Sequence, residues 1–142
     1  MNSARPWTRI VATAAAGTAT FAVLTATPAA ASPRAATLNI VSAAVAADDT
    51  VDVTLAYTCD QAFHGTLIAY VNDTDAAAFG ASDEFAATCD GTGHTAVLSV
   101  DNENDATTYA TGDTAVVAAA IDATKAGSPD QNAAQDVTLA LG

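Results

Sequence analysis

An all-β sandwich is the fold that this sequence predicts, on three observations. About seven short segments alternate apolar with polar residues and are set about 8 to 15 positions apart by turn residues. Apolar stripes at helical spacing are absent beyond the first thirty or so positions. Cys59 and Cys89 are the only two cysteines of the 142-residue chain, and they flank the middle of the strand pattern.

The N-terminal stretch reads as an export leader. Arg5 and Arg9 give a basic start, Ile10 to Ala26 is uncharged and rich in Ala, Thr and Val, and Ala29 and Ala31 satisfy the small-residue rule for signal peptidase. Cleavage is expected after Ala31. The apolar run is too short and too diluted with Thr and Gly for a spanning helix, which needs about 20 apolar residues. Residues 1–31 are thus assigned to a signal peptide, 32–36 to a flexible lead-in and 37–142 to the folded domain, which is expected to be secreted.

Without the leader the chain keeps Arg34 and Lys125 against sixteen acidic residues, a net charge of −14. Nucleic acid and anionic lipid are excluded as partners, because phosphate binding needs clustered Lys and Arg. In an exported chain an even cysteine count reads as a disulfide rather than a metal site. Pairing Cys59 with Cys89 closes a loop of about 30 residues and is worth on the order of 3 to 4 kcal/mol. Zinc held by these cysteines with His64 or His94 is not expected, since no paired CxxC or HxxxH spacing exists.

The strands follow in order. Thr37 to Ala46 alternates through Leu38 and Ile40 and then blurs at Val41, Ala43 and Val45, which reads as a bulge or a fully covered end. Asp48-Asp49 makes a turn. Thr50 to Cys59 has the strictest period of two, with Val51, Val53, Leu55, Tyr57 and Cys59 on one face. Gly65 to Asn72 carries apolar residues on both faces and reads as a central strand, or as one whose outer face is partly covered by a loop. Asn72 to Asp75 is turn chemistry, and Ala76 to Phe85 is ambiguous between a helical turn and a short edge strand. Phe85 to Thr88 leads into Cys89, Asp90 to Gly93 is a hairpin turn, and His94 to Val100 alternates again. A polar loop from Asp101 to Asp105 precedes Tyr109 and the turn at Thr111-Gly112-Asp113. Thr114 to Asp122 is so apolar that both its faces are expected to be covered or to pack on small neighbours. Lys125 to Ala134 reads as a flexible loop, and Asp136 to Leu141 as the last strand.

Seven such strands in about 110 residues are the pattern of an immunoglobulin-like sandwich of two antiparallel sheets. The cysteine placement departs from the antibody pattern: Cys59 ends the second strand, but Cys89 precedes the fifth rather than lying in the sixth, and the single tryptophan, Trp7, falls in the leader.

Leu55-Ala56-Tyr57-Thr58-Cys59, Cys89-Asp90-Gly91-Thr92-Gly93-His94 with the strand after it, and Thr111-Gly112-Asp113 with its Ala/Val strand give the chain a further likeness. It resembles a family of small exported actinobacterial domains with a Tyr-x-Cys strand and a Cys-Asp-Gly-x-x-His segment. The match spans most of residues 37–141. The resemblance implies a disulfide-bonded, Ig-like sandwich outside the cell and carries no activity with it.

Chemistry-bearing constellations are sparse. No Gly-x-Ser-x-Gly elbow is present, and Asp60, Asp90 and His94 are the one set of ionisable groups that the disulfide would gather. Asp101, Glu103 and Asp105 have the alternate spacing of a calcium loop but lack its glycine and its bidentate glutamate. Among the aromatic residues, Tyr57 and Phe85 fall in core registers, which leaves Phe63 and Phe79 as the exposed pair that a carbohydrate would need. The expectation is a non-enzymatic, monomeric surface or matrix module without cofactor, whose partner is a protein or cell-wall component. Three alternatives stand beside it: a hydrolase with a site near His94, an enzyme inhibitor presenting Asp122 to Ala134 or Gly80 to Glu84, and a calcium- or carbohydrate-binding module.

Overall fold

The structure, a computed structural model, describes residues 35–46 and 49–142. The leader, its cleavage after Ala31 and the lead-in up to residue 34 lie outside the described residues. Ala36, the end of the expected lead-in, is instead buried at 5% exposure and belongs to the core.

Eight strands and no helix occur among the described residues: β1 (Thr37–Val45), β2 (Thr50–Thr58), β3 (His64–Asp73), β4 (Phe79–Ala81), β5 (Phe85–Ala87), β6 (His94–Asp101), β7 (Thr114–Thr124) and β8 (Gln131–Ala140). They form two antiparallel sheets. One has the order β1-β2-β6, and the other β4-β3-β7-β8, with β5 also paired to β3. The chain crosses between sheets after β2, between β5 and β6, and after β6, which is the Greek-key connectivity of an Ig-like sandwich.

Period-two patterning sets the core. Val51, Val53, Leu55 and Tyr57 of β2 face Leu67, Ala69 and Val71 of β3 and Val117, Ala119 and Ile121 of β7 across the sandwich, all of them buried. Many inward positions are alanine, so the apolar layer is thin and depends on a few full-sized side chains: Leu55, Leu67, Ile121 and Leu141 are the largest of those wholly buried.

The bulge expected in β1 is present as a register shift between Ile40 and Ser42, with Val41 turned out to 56% exposure. Beyond it β1 also meets the chain end: Val45 N–H donates to the Gly142 carbonyl (2.9 Å) and Gly142 N–H to the Ala43 carbonyl (3.0 Å).

One expectation is corrected and one open reading is decided. The last strand begins at Gln131 rather than Asp136, which shortens the expected flexible loop to the segment between Thr124 and Gln131. Its first half is polar, and inward-facing Gln131 and Gln135 do work that apolar residues do elsewhere. Gln135 Oε1 accepts from Ile40 N–H at 2.6 Å, and Gln131 is 95% buried. The ambiguous stretch takes the second of its two readings, a short edge strand, β4, of three residues. Three residues carry no readable alternation, yet β4 pairs with β3 through Tyr70–Asn72, and the following Ser82 bridges to Val100 of β6. The segment therefore spans from one sheet to the other, and Gly80 to Glu84 is not the projecting loop that an inhibitor would need.

Candidate functional site

Cys59 and Cys89 form the disulfide, with their Cα atoms 4.7 Å apart. Cys59 follows β2 of the three-stranded sheet and Cys89 follows β5 of the other, so the bond ties the two sheets at one end of the sandwich. Hydrogen bonds surround it. Thr88 N–H donates to the Tyr57 hydroxyl (3.1 Å) and Gly91 N–H to the Cys59 carbonyl (2.9 Å). Asp60 turns the other way: its carboxylate accepts from Gln131 Nε2 (2.8 Å) and its N–H donates to Gln131 Oε1 (3.1 Å).

Asp90 caps the hairpin turn, accepting at Oδ1 from Thr92 N–H (2.9 Å) and the Thr92 hydroxyl (2.7 Å). The same oxygen lies 2.8 Å from His94 Nε2. His94 holds the carboxyl down to a pKa of about 2, with help from Thr92. The His94 ring rests beside Tyr57, centroids 5.8 Å apart, on an open depression of about 380 Å³ bordered by Leu38, Tyr57 and Thr95. A nucleophilic relay needs the acid on one ring nitrogen and the nucleophile on the other. Here Asp90 and Thr92 both reach Nε2, the Thr92 hydroxyl at 3.3 Å. Asp60, bound to Gln131, is not part of this group. The arrangement orients the ring and fixes the turn.

The opposite end of the sandwich is acidic. Asp49 accepts from Tyr109 N–H (2.8 Å) and from Asn102 Nδ2 (2.9 Å). Asn102 and Asn104 take the inward positions of the loop after β6, with Asn104 N–H donating to Asn102 Oδ1 (3.0 Å) and Asn104 Nδ2 to the Ala77 carbonyl (3.1 Å). Asp101, Glu103 and Asp105, the calcium candidates, alternate with these asparagines and are exposed to solvent. Among the described residues no group of three or more His, Cys, Asp or Glu side chains is arranged to hold a metal ion.

Asp73, wholly buried, sits at the same end. Its Oδ1 accepts from the N–H groups of Asp75 (2.8 Å) and Ala76 (2.9 Å), whereas Oδ2 is buried without a donor. Burial and the charge of Asp73 raise the pKa of the nearby Asp113 carboxyl, and Asp75 adds to the effect. Tyr109, 5% exposed, has its hydroxyl pushed up to about 12 by burial and by the charges of Asp49, Asp73, Glu103 and Asp101. A stability change follows. A carboxyl raised in the folded state favours folding below its ordinary pKa of 3.8, and that contribution is lost as pH rises through the folded value. Asp113→Asn should therefore raise the melting temperature near about pH 7, because the amide removes a like charge and offers Asp73 a donor, and the gain should vanish near about pH 3. Calorimetry at both pH values checks this; a gain that persists unchanged in acid contradicts the assignment.

The two outer sheet faces differ. On the three-stranded sheet the outward residues of β2 and β6 are Asp52, Thr54, Ala56, Thr58, Thr95, Val97 and Ser99, and Ser99 donates to Asp52 at 2.6 Å. The five-stranded sheet turns outward Ile68 and Tyr70 from β3, Val116, Ala118 and Ala120 from β7 and Phe79 from β4. Cross-strand pairing puts them in rows: Ala81, Tyr70, Ala118 and Asp136, then Phe79, Asn72, Val116 and Thr138. The outer face of β7, expected to be covered or packed on small neighbours, is half-exposed at Val116, Ala118 and Ala120.

The exposed aromatic pair is accordingly Tyr70 (48%) with Phe79 (47%), diagonal neighbours on one face. Phe63 packs against the core with Lys125 Nζ 5.7 Å from its ring centroid, while Phe85, expected in the core, is 42% exposed at the sheet edge. Tyr70 could have been found from sequence as the outward member of a strand apolar on both faces. Gln131 left no signal of that kind.

No helix among the described residues is long and apolar enough to cross a membrane. Comparison with protein-family models and with curated proteins returns no match.

Proposed function

We propose that the mature chain is a secreted, non-enzymatic, monomeric Ig-like module that binds a protein partner outside the cell or at its surface through the outer face of its five-stranded sheet. The observation that carries this reading is the exposed aromatic pair Tyr70 and Phe79 set among Ile68, Val116, Ala118 and Ala120 on that face, whereas the outward apolar residues of the three-stranded sheet are the smaller Val41, Ala56 and Val97, spread among Thr, Ser and Asp. Large exposed apolar patches mark interaction sites, and aromatic residues are enriched among those that dominate binding energy. The disulfide fits an oxidising compartment. The same reading agrees with the resemblance to exported actinobacterial domains, and the charge of −14 disfavours self-association.

The test compares immobilised wild-type domain with Tyr70→Ser/Phe79→Ser in capturing proteins from the culture medium and cell-wall fraction of the producing organism. Wild type should retain a protein that the double variant loses, with the variant's melting temperature unchanged. Equal capture by both proteins refutes the assigned face. Retention of wild type on insoluble cell-wall polysaccharide alone replaces the protein partner with a carbohydrate.

A further inference from the structure

The outer face of the five-stranded sheet carries a depression of about 220 Å³ lined by Thr66, Ile68, Glu84, Ala120 and Asp122. Ile68 and Ala120 are directly paired across β3 and β7, as are Thr66 and Asp122 in the next row. The depression thus has an apolar floor with one carboxylate from β7 and another, Glu84, from the segment joining β4 to β5. Glu84 and Asp122 are both exposed. With the Asn132 amide oriented to donate, Asp122 Oδ1 receives a hydrogen bond of 2.6 Å, which leaves its second oxygen for another donor.

Among the described residues no lysine or arginine lines this site. Lys125 is the one lysine or arginine among the described residues, and it lies over the Phe63 ring. An apolar side chain from a partner would cover the floor but strip water from two carboxylates, and an acidic one would be repelled. A lysine or arginine satisfies both parts, since its aliphatic stem lies on apolar surface while its head donates to carboxylate oxygens. The volume is below the roughly 300 to 1,000 Å³ typical of small-molecule sites, and matches one long side chain. A second copy of this strongly acidic chain is a poor source of that side chain.

Building on the proposed docking face, we infer that this depression receives a basic side chain of the protein partner, with Glu84 and Asp122 as the recognising carboxylates. Residues flanking that side chain would settle on Tyr70 and Ala118, one row further along the sheet. The apolar face supplies area, and the acidic depression sets which partner fits and in which register.

The test is a nuclear magnetic resonance titration of the isotope-labelled mature domain with a short peptide carrying one lysine between valines, and with the same peptide carrying norleucine. The lysine peptide should shift the signals of Ile68 and Ala120 saturably and more than other sites, and the norleucine peptide should not. Glu84→Gln/Asp122→Asn should weaken the lysine peptide by roughly 3- to 10-fold, the effect of losing two exposed charge pairs. Glu103→Gln/Asp105→Asn, at the acidic end, should leave it unchanged. Equal shifts with norleucine, shifts spread over all acidic regions, no shifts at all, or full binding by the Glu84/Asp122 variant would each overturn the inference. If it falls while Tyr70→Ser/Phe79→Ser still abolishes capture, the face stands without the basic side chain. If those variants keep full capture, the docking face itself falls.

Discussion

Replacing both cysteines, Cys59→Ala with Cys89→Ala, should lower the unfolding free energy of the mature domain by about 3 to 4 kcal/mol. The cross-link removes conformational freedom from the unfolded chain in proportion to the logarithm of the loop it closes, and here the two cysteines are 30 positions apart. A domain of this size has a total stability of about 5 to 15 kcal/mol, so the loss is a large share of it. The effect is also structural. The loop closed by the bond contains β3, β4 and β5, hence one whole edge of the five-stranded sheet, and the bond anchors that edge to β2 of the other sheet. The hydrogen bonds from Thr88 to Tyr57 and from Gly91 to Cys59 remain in the variant, but two exchangeable bonds cannot replace a covalent one. Urea denaturation of wild type, the double variant and reduced wild type is the measurement, and coincident midpoints for all three would contradict this account.

The strands that were legible in the sequence are those in which the inward side chains are apolar and numerous enough to show a period of two. β2 is the clearest case: Val51, Val53, Leu55 and Tyr57 are all buried to 4% exposure or less. The β1 bulge was legible for the same reason, as a break in an otherwise regular alternation. The first half of β8 was not, and β4 was visible only as one of two readings of an ambiguous stretch. β4 is too short for periodicity, and its place is set by partners distant in sequence. In β8 the inward positions Gln131 and Gln135 are polar because each supplies hydrogen bonds to backbone groups near the sandwich edge, Asp60 N–H and Ile40 N–H. Polar side chains with such long-range partners look like loop residues until the partners are seen.

The site followed the same division. That Cys59 pairs with Cys89 follows from their number alone; of the Asp60, Asp90 and His94 that the bond was expected to gather, Asp90 and His94 do meet, across the tight turn between them, where Thr92 joins them. Which acids gather at each end did not follow. Asp60 has the same Cys-Asp context as Asp90 yet bonds to Gln131, about seventy positions away, at the buried end of β8. The proposed docking face was only half visible, because its aromatic members belong to different strands whose pairing, Tyr70 with Ala81 and Asn72 with Phe79, depends on β4, which the sequence offered only as one of two readings.

That dependence makes Gly80→Ala the second large expected effect, a loss of about 3 kcal/mol or more, at the upper end of overpacking costs. A Cβ built on Gly80 lies 1.9 Å from the Asp101 carbonyl oxygen and 3.2 Å from Val100 Cγ1. The first contact is with backbone, so no side-chain rotation relieves it, and β4 has to move away from β6. Several bonds hold β4 where it is: Glu103 N–H donates to the Phe79 carbonyl (2.8 Å), Asp73 N–H to the Ala78 carbonyl (2.8 Å), Ser82 N–H to the Ala69 carbonyl (2.8 Å) and Ala69 N–H to Ser82 Oγ (3.0 Å). Displacing the strand strains all four, and it exposes the top of the core beside Val100 and Val71. The contrasting variant is Gly93→Ala, where nothing lies within 4 Å of the added atom and the change in stability should stay within about 0.5 kcal/mol. Urea denaturation reads the difference between the two alanines. Hydrogen exchange locates it, with faster exchange expected at Asp73, Ser82 and Glu103 in the Gly80 variant while β2 and β7 keep their protection. Because Phe79 moves with β4, the same variant should also lose the partner that Tyr70→Ser/Phe79→Ser loses. Wild-type stability in Gly80→Ala would mean that β4 does not pack against β6 as described.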